Sequence, residues 1–148
     1  MRRHCALLAA VLLFAGCASS ADDDPNAPKV TVHVEQLDSG GGNNFIFAGP
    51  VNLQFAVSVT NTTKDLVTIS RLEVRTISSG AYSISPTSTS LNLPVSPGQS
   101  VNTTIAVWGY ARGGNLSSQE PVTLRGTAYF SGPSGAFVRL FTEYISQR

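Results

Sequence analysis

Cys17 stands where a thiol could do chemistry. It closes the uncharged run Ala6 to Gly16, "ALLAAVLLFAG", and opens the polar stretch Ala18 to Pro28, "ASSADDDPNAP". A thiolate is a good nucleophile near neutral pH, which makes Cys17 a residue able to do chemistry. Cys5 is the only other cysteine, and the segment from Lys29 onward has none. That segment therefore holds neither an internal disulfide nor a thiolate metal site.

The other chemistry-bearing residues give less. His33 is the only histidine from Lys29 onward, and Thr31 and Glu35 share its expected strand face. It reads as a surface residue, since no second imidazole or thiol completes a metal site. Glu35, Asp38, Asp65, Glu73, Glu120 and Glu143 are scattered without recognisable pairing. Serines are abundant, but no nucleophile elbow is present, so no triad can be assigned. "DSGGGNN", Asp38 to Asn44, is glycine-rich. It lacks the Lys-Ser/Thr ending of a phosphate loop and reads as a mobile loop. Asn61, Asn102 and Asn115 each open a tripeptide of the N-glycosylation pattern. The sequence thus assigns no catalytic residue, no metal and no cofactor, and the chain is read as a non-enzyme.

One surface candidate is aromatic. Trp108 is opposite in parity to Val107, which turns it outward if "SVNTTIAVWGY" is a strand. Tyr110 and Arg112 follow in an expected loop, "GYARGGN", and Tyr129 shares the polar face of its strand with Arg125. Exposed aromatics beside an arginine form contacts with sugars or proteins, which makes Trp108, Tyr110, Arg112 and Tyr129 the candidate ligand-binding residues. The plainer alternative, which the sequence favours, packs Trp108 beneath a loop at the end of the domain.

The elements that must position these residues follow from composition and pattern. The chain has 148 residues, a formal charge of +1 and only 13% charged residues. Without a basic stripe it lacks the electrostatic footprint of a nucleic-acid binder. Arg2 and Arg3 precede the apolar run, which at about half the length of a membrane span reads as a signal peptide over residues 1–16. Residues 18–28, with Asp22, Asp23, Asp24 and two prolines, cannot pack and read as a flexible tether of ~20 Å reach.

Residues 29–148 alternate as half-buried strands do. Val51, Leu53, Phe55, Val57 and Val59 share one face of "VNLQFAVSVT"; Val30, Val32 and Val34 share another. In "LVTISRLEVRT" the apolar parity slips between Ile69 and Leu72, which predicts a bulge near Ser70 and Arg71. Val101, Ile105 and Val107 form one apolar row, and Val122, Leu124, Ala128 and Phe130 another. Weaker strands are expected at Tyr82 to Ile84 and Ser88 to Leu93. "AFVRLFTEYI" is apolar on both faces, which suggests a central or bulged strand. Pro97 and Gly98 mark a turn, and "SGPSG" a loop. Seven or eight short strands with frequent turns predict an all-β, antiparallel β-sandwich, with a lipocalin-like barrel as the structural alternative.

Two resemblances add to this reading. "FAGC", Phe14 to Cys17, resembles the lipobox of bacterial lipoproteins, Leu-Ala/Ser-Gly/Ala-Cys. Ala15, Gly16 and Cys17 match it, and Phe14 stands where Leu is usual. The resemblance implies that the Cys17 sulfur receives a diacylglycerol, that a dedicated peptidase cuts before it, and that the new amino group is acylated. Two or three acyl chains make a stable membrane anchor where one does not. Ala18 and Ser19 stand where Asp would favour inner-membrane retention, so the resemblance implies a lipid-anchored protein of the cell envelope. It favours the outer membrane, facing the periplasm or the cell surface. The competing reading cuts after Ala21, at "SSA", and releases a soluble protein.

Within the domain, "VSVTNTTKDLVTISRLEV" and "LPVSPGQSVNTTIAV" are similar in rhythm to immunoglobulin-like modules of bacterial surface proteins. The "TN" turn also resembles that of late-embryogenesis-abundant group 2 domains, where Pro usually follows and Thr62 stands here. Both imply a fold and not an activity. The reading that results is a membrane-anchored, non-catalytic lipoprotein with an envelope protein or glycan as partner. Its alternative is a lipoprotein that captures a small molecule or glycan through the aromatic loop.

Overall fold

The structure is a computed structural model, and it describes residues 28–37, 45–78 and 80–147. The signal peptide, Cys17, most of the tether and the "DSGGGNN" loop lie outside the described residues. Eight strands follow in chain order: β1 (Val30–Leu37), β2 (Gly49–Asn61), β3 (Val67–Thr76), β4 (Tyr82–Ser83), β5 (Thr87–Val95), β6 (Ser100–Ala111), β7 (Val122–Gly132) and β8 (Gly135–Ile145). They form two antiparallel four-stranded sheets, β1-β2-β6-β4 and β5-β3-β7-β8. With β2 beside β6 in one sheet and β3 beside β7 in the other, the chain crosses between sheets as in an immunoglobulin-like sandwich.

Strict alternation builds the core. The inward residues Leu53, Phe55, Val57 and Val59 of β2 meet Ile69, Leu72 and Val74 of β3 and Leu124, Ala128 and Phe130 of β7, all buried. Each sheet offers one apolar face, and packing the two faces removes both from water.

The parity slip in β3 is a bulge. Ile69 pairs with Phe130 of β7 and Arg71 with Tyr129, leaving Ser70 as the extra residue, and its hydroxyl donates to the Tyr129 carbonyl at 3.1 Å. On the other side Ile69 pairs with Leu93 of β5 and Arg71 with Ser90, and Asn92 takes a left-handed φ of 52°. Asparagine tolerates that conformation better than most residues. Pro97 and Gly98 form the expected turn: Gly98 has φ 69°, and the Gln99 N–H donates to the Ser96 carbonyl at 3.1 Å. A glycine is favoured there because a Cβ would meet the backbone at positive φ.

One expectation is corrected. β8 is neither central nor bulged. It is an edge strand, paired only with β7 in unbroken register. Phe137, Phe141 and Ile145 face inward, with Phe137 stacked on Phe130 at 5.1 Å between centroids. Val138, Leu140 and Tyr144 stay exposed on the outer face. Two apolar faces here mean an apolar outer surface and not a second covering layer.

Edge amides of a sandwich need partners. Where β1 and β8 meet, the Glu143 carboxylate accepts from the Val34 N–H at 3.3 Å and lies 2.7 Å from His33 Nδ1. Arg139 donates to the Pro28 carbonyl. His33 is therefore a surface residue tied to the opposite sheet.

Tyr82 anchors the short β4. Its ring packs on Phe45, with centroids 5.1 Å apart, and its hydroxyl donates to Gln36 Oε1 at 2.6 Å. Burial pushes the phenol well above its ordinary range, and the Gln147 side chain pulls a little the other way. The unfolded phenol ionises near pH 10 while the folded one keeps its proton. Above pH 10 the folded state therefore binds more protons, and stability falls as pH rises. Urea midpoints measured from pH 9 to pH 11 should show a decline approaching 1.4 kcal/mol per pH unit that Tyr82→Phe removes. The same slope in both proteins would exclude Tyr82 as its source.

Candidate interaction surface

Trp108 and Tyr110 lie two residues apart on β6, so both point out from the β1-β2-β6-β4 sheet. They are 67% and 55% exposed. Trp108 is not packed beneath a loop. The strand extends to Ala111, so Tyr110 is a strand residue held by pairing on both sides and not a loop residue. Trp108 pairs with Asn52 of β2; Tyr110 pairs with Pro50 of β2 and Ser83 of β4.

Gly109, between the two aromatics, explains their placement. A Cβ there would lie 2.9 Å from both Leu53 Cδ1 and the Ser83 carbonyl oxygen. The inward position must be empty for β4 to close on β6. That closure fixes the backbone at Tyr110, and pairing with β2 fixes it under both rings, so the pair is presented by a strand and not a mobile tip.

Arg112 follows directly after the strand. Its N–H donates to the Ala81 carbonyl at 3.1 Å, and its guanidinium pairs with Glu120 at 3.2 Å. Both partners are half exposed, so the ion pair contributes little to stability. It orients Arg112 across the loop that follows β6.

Tyr129 is placed elsewhere. It points out from the β5-β3-β7-β8 sheet, on the opposite side of the sandwich. There the Arg71 guanidinium lies 3.9 Å from its ring centroid, and its hydroxyl donates to Glu73 Oε2 at 3.1 Å. The structure sets Trp108 and Tyr110 on one outer face with Arg112 just past the end of their strand, and it separates Tyr129 from them. All four have outward parity, and only the strand order tells the two outer faces apart.

The surface also includes residues that the sequence reading missed. The turn before β2 exposes Ile46 and, at 79%, Phe47, while the loop after β6 exposes Leu116. These two loops touch: the Gly114 N–H donates to the Ile46 carbonyl at 2.6 Å. Because β2 begins opposite the end of β6, their apolar side chains gather at the same end as Trp108 and Tyr110. The signal was the run "NFIFAGP", too short and unperiodic to show that Phe45 goes inside and Phe47 outside.

Asn61 closes β2 with its side chain fully buried and its amide donating two hydrogen bonds. That leaves it unavailable as a glycosylation acceptor. Among the described residues no group of three or more metal-ligating side chains occurs, and no helix is long and apolar enough to cross a membrane.

No protein-family model and no curated protein matches the chain. Solved structures do. The structural-genomics target SoR45 is 11% identical with a TM-score of 0.55, covering 82% of this chain and 88% of that one. A candidate ApaA protein from Bordetella pertussis is 15% identical with a TM-score of 0.51, covering 82% and 94%. A protein from Archaeoglobus fulgidus is 7% identical with a TM-score of 0.50, covering 77% and 91%. At such identities the likeness is one of fold alone: the chain shares a β-sandwich architecture with these proteins.

Proposed function

We propose that this protein is a lipid-anchored, non-catalytic interaction module of the cell envelope. It is tethered through Cys17 and engages an envelope protein with the end of the sandwich that carries Trp108 and Tyr110. The observation that carries the reading is this pair: two large aromatics, mostly exposed, held side by side on a rigid strand. Monomeric proteins seldom leave contiguous aromatic and aliphatic surface in water unless it meets something. Aromatic residues are also the usual anchors of protein contacts. The lipobox resemblance supports the anchor, and the ~20 Å tether keeps the domain close to the membrane.

A second reading has its own support. Exposed Asn52 and Ser83 flank the aromatic pair, and rings with polar neighbours suit a glycan face as well. Quenching or a shift of Trp108 emission by envelope glycans would favour it.

Isolation from detergent-solubilised membranes tests the proposal with three chains. Wild type should partition with membranes and co-purify a defined partner. Cys17→Ser should leave the membrane fraction, its mass lacking the acyl groups. Trp108→Ala with Tyr110→Ala should stay in the membrane, stay folded and lose the partner at least tenfold. Membrane retention of an unacylated Cys17→Ser chain would overturn the anchor. Full partner recovery by the double variant would overturn the surface.

A further inference from the structure

The opposite outer face, on the β5-β3-β7-β8 sheet, carries a feature that the proposed function does not use. Arg75 of β3 and Arg125 of β7 are direct cross-strand partners. Like charges placed opposite each other on a sheet repel. Neither has a carboxylate within 4.0 Å among the described residues. The nearby acid, Glu73, is already engaged by Arg71 at 3.4 Å and by the Tyr129 hydroxyl at 3.1 Å.

The charges of the described residues sharpen this. Arg71, Arg75, Arg125 and Glu73 give this face a net +2. The remaining charges, Lys29, Lys64, Arg112 and Arg139 against Glu35, Asp65, Glu120 and Glu143, cancel. The whole net charge of the described residues therefore sits on one face.

The two arginines line a groove of about 420 Å³, together with Glu73, Thr127, Pro86 and Leu140. That volume lies in the range of small-molecule sites. Leu140 is exposed on the apolar outer face of β8, and with Pro86 it gives the groove greasy walls around a cationic floor.

We propose that this groove binds a small phosphate monoester, its oxyanion bridging Arg75 and Arg125 and its organic part lying against Leu140 and Pro86. An anion between the guanidiniums converts their repulsion into two charge-assisted contacts. A phosphate monoester has three terminal oxygens to offer two guanidinium forks, where a carboxylate has two. The Thr127 hydroxyl supplies a further donor on the same wall. The monoester can come from a free phosphorylated metabolite or from the minority of lipid headgroups that end in a monoester phosphate, and both present the same three-oxygen group to the arginines.

The test uses the purified full chain and three probes at constant ionic strength: butyl phosphate, inorganic phosphate and butanol. Butyl phosphate should bind in the millimolar range or tighter. Inorganic phosphate should bind about tenfold more weakly, and butanol not measurably. Arg75→Ala and Arg125→Ala should each weaken butyl phosphate about tenfold while leaving the fold intact, since both side chains are on the surface. Leu140→Ser should weaken butyl phosphate but not inorganic phosphate. Dibutyl phosphate, a diester as in most lipid headgroups, should bind less well than the monoester; tighter diester binding would overturn the monoester assignment. Undiminished butyl phosphate binding by both arginine variants, or none to wild type at 10 mM, would overturn the site.

Discussion

Asn61→Ala is expected to lower the free energy of unfolding by about 3 kcal/mol and the melting temperature by about 10 °C. Asn61 is the one buried polar residue among those described, and all of its side chain's hydrogen-bonding capacity is used. Its amide donates to the carbonyls of Asp65 at 2.8 Å and Val95 at 2.9 Å. Its side-chain oxygen accepts from the Thr63 N–H at 2.9 Å and the Thr63 hydroxyl at 2.7 Å. Its backbone N–H donates to Gln99 at 2.9 Å, and its carbonyl accepts from the Gly98 N–H at 2.8 Å.

One side chain therefore ties the end of β2 to the β2–β3 turn and to the end of β5, and its backbone ties the β5–β6 turn. Truncation strands the Val95 carbonyl in the buried end of the sandwich and unties the half-buried Asp65 and Thr63 groups, and an unpaired buried group costs more than a made bond contributes. Asn61→Asp checks the mechanism. It keeps both acceptor contacts but points a carboxylate at the two carbonyls, so it should be at least as damaging. Urea midpoints measure both variants. A loss under about 1 kcal/mol for Asn61→Ala would mean that the network does not hold the turns.

Phe55→Ala should cost about 4 kcal/mol, the largest loss expected from any single substitution considered for this fold. Phe55 sits mid-strand on β2, fully buried, with Gln36 and Ile105 as its register partners. Removing the ring forfeits its burial and leaves a cavity that neighbouring strands cannot collapse into without breaking their pairing. The informative comparison is Trp108→Ala, which removes a larger ring but should cost less than about 1 kcal/mol because that ring is mostly in water. Equal losses in the two variants would contradict the exposure of Trp108. They would also remove the basis for treating it as a contact residue.

Much of the fold was legible because a half-buried strand writes its inward face into every second residue. The row from Val51 to Val59 and the parity slip at Ser70 both correspond to structure. So do the Pro97–Gly98 turn and the weak strands at Tyr82 and after Thr87. β8 was misread for a related reason. Apolar residues on both faces record that both are greasy but not whether a second layer covers them, and among the described residues none covers the outer one. Trp108 shows the same limit. Parity turned it outward, but whether a loop lies over it depends on the path of a segment elsewhere in the chain.

The sequence by itself determined that the domain is all-β, which residues of the alternating strands face the core, and where the strands kink and turn. These are local matters, decided by a two-residue period and by backbone preferences of proline, glycine and asparagine. Tertiary structure alone decided which outward residues are neighbours. It set Phe47 and Leu116 at the end that carries Trp108 and Tyr110. It moved Tyr129 to the other side of the sandwich and put Arg125 opposite Arg75, fifty residues earlier in the chain. A two-residue period carries no information about the partner strand; inter-strand register and the crossings between sheets do, and they exist only once the two apolar faces have closed on each other.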